Sequence, residues 1–138
     1  MKITPEFLKS LKRRVKQSEG FRHDIYFDTE GVPTFGYGFT YIEKDEADAV
    51  LQIKLRKIIE SDLFVFSKEI AHLNETRLLV IIEMLYQLGV AGVKGFKQFR
   101  KAILAEDWAE CRIQMLDSLW HKQTPNRCER LADEFEKG

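Results

Sequence analysis

A chain of 138 residues is long enough for one domain with a sizeable core, and 44% hydrophobic against 32% charged residues is an ordinary water-soluble balance. Twenty-two Lys and Arg offset twenty-two Asp and Glu, for a formal charge of zero, so no net field draws the protein to nucleic acid or to an anionic membrane. No uninterrupted apolar run approaches the roughly 18 residues that cross a bilayer, and the start Met1-Lys2-Ile3-Thr4-Pro5-Glu6 lacks a signal-peptide core. No nucleic-acid partner, stable membrane insertion or export leader is therefore expected, and synthesis and folding in a cytoplasm are.

In chain order, Thr4 and Pro5 have the character of an N-cap and a first helical residue. Leu8, Leu11, Val15 and Ser18-Glu19 then recur on one face at helical spacing, which predicts a helix from about Pro5 to Glu19. Gly20 suits the position past a helix end, and residues 21–28 read as a strand that turns through Thr29-Glu30-Gly31 and returns over residues 34–39. On the return strand Phe35, Tyr37 and Phe39 share one face. Thr34, Gly36 and Gly38 share the other, leaving a face with little bulk where a ligand can approach the backbone.

From Ile42 the pattern is helical again, with Ala47, Leu51, Leu55, Ile58 and Ile59 on one stripe and acids in the first turn. Asn74 can cap a further helix, and residues 78–88 are apolar on nearly every side apart from Glu83 and Gln87, as suits the centre of a bundle. Gly89 and Gly92 predict a turn, residues 96–104 and 107–119 two amphipathic helices, and Thr124-Pro125 the start of a last one. Cys111 and Cys128 fall inside helical patterns and are read as buried thiols. There are no repeats or linkers, and one domain is expected.

Hydrolysing a sugar–sugar bond needs a protonated carboxylic acid on one side of the bond and a second acidic or polar group managing water on the other. Glu19 and Asp28 can supply both on a short frame. Glu19 shares the apolar stripe and lies at the negative end of the helix dipole, and partial burial and the dipole both disfavour its charged form, as a general acid requires. Taken alone, a helix-terminal Glu in solvent or in an ion pair explains it as well. Asp28 precedes a turn, where backbone capping is the default role. Thr34 is an ordinary strand residue whose parity with Gly36 and Gly38 aims its hydroxyl at the open face. Lys9, Lys12, Arg13, Arg14 and Lys16 give the first helix a positive flank, usually a solvated face. His23, His72 and His121 are scattered without partners at ligand spacing, so no metal site is expected.

Glu19-Gly20-Phe21, Tyr26-Phe27-Asp28-Thr29-Glu30-Gly31 and Thr34-Phe35-Gly36-Tyr37-Gly38 together resemble the active-site hairpin of the phage-type lysozymes, glycoside hydrolase family 24. Met84-Leu85-Tyr86-Gln87-Leu88-Gly89, the turn Gly92-Val93-Lys94-Gly95-Phe96 and Trp120-His121-Lys122-Gln123-Thr124-Pro125-Asn126-Arg127 are similar to further motifs of that family, in the same order. The resemblance implies an α+β, mainly α fold of two lobes, with the glycan bound between a small hairpin lobe, about residues 19–60, and a larger helical lobe, about 61–138 together with helix 5–19. It implies Glu19 as proton donor, Asp28 as second carboxylate and Thr34 as the hydroxyl that helps hold the attacking water. Gly36, Gly38, Gln87, Phe96 and Arg127 become substrate-binding candidates, with Arg127 near Glu19.

The implied substrate is peptidoglycan, cut with inversion between N-acetylmuramic acid and N-acetylglucosamine by a monomer that uses no cofactor and no metal. An endolysin released to the wall through a holin is the expected biology, although a lysozyme domain on a virion or an antibacterial effector would look the same in this chain. Ser18, Phe39 and Glu83 differ from the family's best-known member. The rival readings are a lytic transglycosylase, a catalytically silent glycan-binding or structural protein on the same scaffold, and a small helical nucleic-acid binder using the basic flank.

Overall fold

A computed structural model describes residues 2–138, and its fold is α+β, mainly α. The chain forms two compact units, the first ending at Ala49 and the second spanning Val50–Gly138.

The first unit begins with α1, Pro5–Glu19, with the bounds expected from its capping residues. Thr4 Oγ1 accepts from the Phe7 amide at 3.1 Å, Pro5 opens the helix, and Gly20, at φ 71°, ends it by donating its N–H to the Lys16 carbonyl. Glycine is suited to that left-handed φ, and the sharp exit delivers the chain directly into β1, Arg22–Phe27. β1 pairs antiparallel with β2, Pro33–Gly36, in the register Tyr26 to Thr34 and Phe27 to Pro33, with an irregularity between Arg22 and Tyr26.

The return strand stops three residues short of its expected end. Gly36 and Gly38 both take positive φ, 60° and 76°, and fold the chain into a tight turn in which Phe35 and Phe39 exchange two backbone hydrogen bonds of 2.8 Å. The alternation of Phe35, Tyr37 and Phe39 has the period of a strand but closes a turn instead. The expected lobes group α1 with the helical lobe. By its contacts it groups with the hairpin, to which Lys16 adds a cation–π approach, 5.3 Å from the Tyr37 ring centroid.

α2, Lys44–Glu60, leads into the second unit. A 3-10 turn over Asp62–Phe66 and the short α3, Ser67–Ile70, follow it, and neither is expected from the sequence pattern. α4, Glu75–Lys94, starts at the expected cap, Asn74, whose Oδ1 accepts from the Arg77 amide at 3.0 Å. α4 breaks at Gly89, φ 73° and ψ 172°, whereas Gly92 remains within the helical run instead of ending it. α5 spans Lys97–Leu104 and α6 Trp108–Leu116. The expected helix over 107–119 ends early because Ser118 Oγ donates to the Met115 carbonyl at 2.6 Å and accepts from the His121 amide at 3.1 Å, which starts α7, Leu119–Gln123. α8, Pro125–Lys137, closes the unit.

The core is built from α4, α5, α6 and α8 around the fully buried side chains of Val80, Met84, Phe99, Ile103, Met115 and Phe135. Burial of each such side chain contributes about 1.5–3 kcal/mol, and this core is what fixes α7 and the start of α8. α4 is long and apolar enough to cross a membrane by length and composition. In this fold it supplies Val80, Ile81, Met84, Leu85 and Val93 to that core. Cys111 and Cys128 are buried free thiols, as expected from the sequence.

Candidate functional site

In the first unit the candidate acid, Glu19, is the last residue of α1. Its expected partial burial is not observed. α1 buries none of its residues, the stripe of Leu8, Leu11 and Val15 is exposed, and Glu19 is exposed with it. What Glu19 does meet is the glycine turn: its carboxylate takes the space where a side chain at Gly38 would stand, with Cδ 2.8 Å from the position of such a Cβ. The matching space at Gly36 is filled by the Phe39 ring, 2.6 Å from an added Cβ. The glycine face expected to lie open to a ligand is therefore occupied by the chain's own side chains.

Asp28 is half-buried and holds the hairpin turn with one oxygen, since Oδ1 accepts from the amides of Glu30 and Val32, both at 2.8 Å. Its backbone adds two further bonds across the turn, from its own N–H to the Val32 carbonyl and from the Gly31 N–H to its carbonyl, each 3.0 Å. The default capping role is thus present. Both side-chain bonds fall on Oδ1, and Oδ2 takes no hydrogen bond from the described residues. Thr34 is 4% exposed, and its hydroxyl donates to the Val32 carbonyl at 2.9 Å. It does not point freely at an open face. With its proton committed, Oγ1 meets any further partner as an acceptor.

In the second unit a cavity of about 650 Å³ opens where the end of α4, α5 and α7 meet, and Leu88, Gly92, Phe96, Ser118, Leu119 and Trp120 are among its walls. Lys97, Gln98, Gln114, Asp117 and Gln123 line it as well, so apolar and polar side chains share its walls, as small-ligand sites combine them. Phe96 lines it, edge-to-face with Trp120 at 6.2 Å between ring centroids.

Gln87 stands behind this wall. Its side-chain oxygen accepts from the Trp120 indole N–H at 3.0 Å, and its amide donates to Thr124 Oγ1 at 3.1 Å. Thr124 in turn donates to the Trp120 carbonyl at 3.3 Å. One turn earlier on α4, Glu83 Oε2 receives Arg127 Nε at 3.3 Å and lies 3.8 Å from Arg130 Nη2. Arg127 therefore has a carboxylate partner within its own unit. Trp120, Ser118 and Leu119 are not singled out by the sequence as site residues, although the Trp-x-x-Gln-Thr-Pro signal brackets the first.

The profile of the phage lysozyme family matches residues 16–133, which takes in Glu19, the hairpin and the whole Trp120–Arg127 signature. The chain belongs to the phage lysozyme family. It is 30% identical to the probable T4-type lysozymes 1 and 2 of Dictyostelium discoideum, covering 94% of this chain and 95% of each of those proteins. It is 27% identical to the pre-baseplate central spike protein of Enterobacteria phage T4, covering 89% of this chain but 27% of that protein. Membership makes this a lysozyme-like protein of the peptidoglycan hydrolase class, and gives the Glu19, Asp28 and Thr34 segment a family context that bears directly on its chemistry.

Proposed function

We propose that the protein hydrolyses the β-1,4 bond between N-acetylmuramic acid and N-acetylglucosamine with inversion, lysing bacterial walls. Glu19 passes its proton to the glycosidic oxygen as the bond to the anomeric carbon breaks. Water attacks that carbon from the opposite face and gives up its proton to Asp28, and exchange with solvent restores both groups.

The observation that carries this reading is the division of labour within Asp28, whose Oδ1 is tied to two backbone amides while Oδ2 takes no hydrogen bond from the described residues. A carboxylate fixed by one oxygen and presenting the other is a placed acceptor for a water proton. Thr34 complements it: since its own proton goes to the Val32 carbonyl, it can accept the second water proton and turn the lone pairs of water toward the sugar. Neither role requires a metal or a cofactor. In the second unit, Gln87 braces Trp120 and Thr124 beside the cavity that Phe96 lines.

Clearing of chloroform-treated Gram-negative cells, followed by turbidity, tests the activity. Glu19→Gln keeps the shape of the side chain but has no proton to deliver, and should leave less than a tenth of wild-type lysis. Greater retention would remove Glu19 from the role of acid. Glycan binding by a wild-type protein that never lyses walls would favour the catalytically silent reading instead.

A further inference from the structure

We propose that Gly38 is a positioning residue for Glu19, and that the absence of a side chain at position 38 is what sets the acid in place. This rests on the reading of Glu19 as the proton donor. Four glycines of the first unit share the left-handed backbone region: Gly20 at φ 71°, Gly31 at φ 78°, Gly36 at φ 60° and Gly38 at φ 76°. A Cβ added at Gly20 or Gly31 meets nothing within 4 Å. At Gly38 it runs into the Glu19 side chain, overlapping Oε2 and standing 2.8 Å from Cδ and 3.4 Å from Cγ. Backbone conformation alone accounts for the first two glycines. Gly38 answers to a second requirement, close approach of a carboxylate.

The backbones on both sides of this contact are held. The end of α1 is closed by the Gly20 N–H on the Lys16 carbonyl at 2.9 Å, and the turn carrying Gly38 is closed by the paired Phe35 and Phe39 bonds at 2.8 Å. The carboxylate is the free end of a side chain with three rotatable bonds, so an added methyl group displaces the carboxylate and leaves both backbones in place. A displacement of about 1 Å in a catalytic group can cost on the order of 100-fold in rate.

The test compares Gly38→Ala with Gly31→Ala, which carries the same backbone penalty without the collision. Wall lysis by Gly38→Ala should fall about 100-fold, in kcat rather than KM, and well below that of Gly31→Ala, whose loss reports the backbone strain at positive φ without a collision on Glu19. Carbon-13 labelling of the Glu carboxyl groups supplies a readout that does not depend on turnover: the Glu19 resonance should move in Gly38→Ala and stay put in Gly31→Ala. Gly38→Asn brings in a Cβ on a residue that tolerates positive φ, and should reproduce both effects if Gly38→Ala fails to fold.

Lysis by Gly38→Ala equal to that of Gly31→Ala, or an unmoved Glu19 resonance, overturns the proposal. So does a loss confined to KM, which would mean that the added group meets the glycan directly. Failure of wild-type lysis overturns the reading of Glu19 as acid, and the carboxyl resonances still decide whether Gly38 positions it.

Discussion

The Gln87 side chain divides its two ends between Trp120 and Thr124, taking the indole N–H at 3.0 Å and donating to the hydroxyl at 3.1 Å. These partners lie 33 and 37 positions further along the chain, so a single amide on α4 ties down α7 and the entry to α8. Gln87→Ala leaves a buried indole N–H without an acceptor, in a residue 3% exposed. It should cost about 1–3 kcal/mol, read by urea denaturation, and loosen the wall of the cavity beside Phe96. Gln87→Glu keeps the acceptor and should be the milder change. Equal stability of wild type and Gln87→Ala would show that the Trp120 bond contributes nothing.

Two ion pairs of the second unit should differ sharply when broken. Glu69 and Arg100 meet at 2.7 Å with side chains 7% and 26% exposed, and the Arg100 guanidinium also lies 5.3 Å from the Phe66 ring centroid. Glu83 and Arg127 meet at 3.3 Å with side chains 38% and 35% exposed. Glu69→Ala removes the carboxylate partner of a half-buried guanidinium that keeps, among the described residues, only the Lys94 carbonyl as a hydrogen-bond partner, and should cost about 1–3 kcal/mol. Glu83→Gln breaks a solvated pair and should change stability by less than about 1 kcal/mol, a difference that shrinks further in salt. Thermal melts at two ionic strengths check both, and a large salt-sensitive loss in Glu83→Gln alone would reverse this ranking.

Burial pushes the Cys111 thiol up to about 12 and the Cys128 thiol up to about 11, with nearby acidic side chains adding to both. Each folded-state value is above the ordinary value of 9.0, so folding favours the neutral thiol. Its contribution is fully present below pH 9 and is lost as pH rises through 11 and 12. Replacing both cysteines by Ala should therefore flatten the decline of stability between pH 9 and 11. The native thiols should also resist a disulfide reagent until the protein unfolds, because the thiolate is the reactive form. Rapid labelling of the native protein would contradict their enclosure.

Local chemistry made much of the fold legible. Thr4-Pro5 and Gly20 carry both ends of α1, and Asn74 and Pro125 mark the starts of α4 and α8. The departures have physical causes. Phe35, Tyr37 and Phe39 alternate as a strand does, but positive φ at Gly36 and Gly38 turns that alternation into a closed pair. Met115, Leu116, Leu119 and Trp120 keep an apolar rhythm across the break that Ser118 makes between α6 and α7. Asp62–Phe66 and Ser67–Ile70 are too short for any period to show.

At the candidate site, it is the family resemblance that singles out Glu19, Asp28 and Thr34 as candidates, while their immediate surroundings were not readable. Parity placed the Thr34 hydroxyl on an open face, yet a local bond to Val32 takes its proton. An apolar stripe suggested cover for Glu19, but α1 leaves that stripe exposed. The pairing of Arg127 with Glu83 joins positions 44 apart, a tertiary contact that no local pattern announces.

Proton NMR of the reducing ends released from purified glycan strands tests the central claim most directly. An acid at Glu19 and a water held by Asp28 and Thr34 require inversion, so the α anomer should appear first from the β-linked substrate and the β anomer only later, by mutarotation. First appearance of the β anomer would mean that a protein group attacks the sugar in place of water. An anhydro-sugar with no new reducing end would mean that water takes no part, and either result contradicts a water held by Asp28 and Thr34.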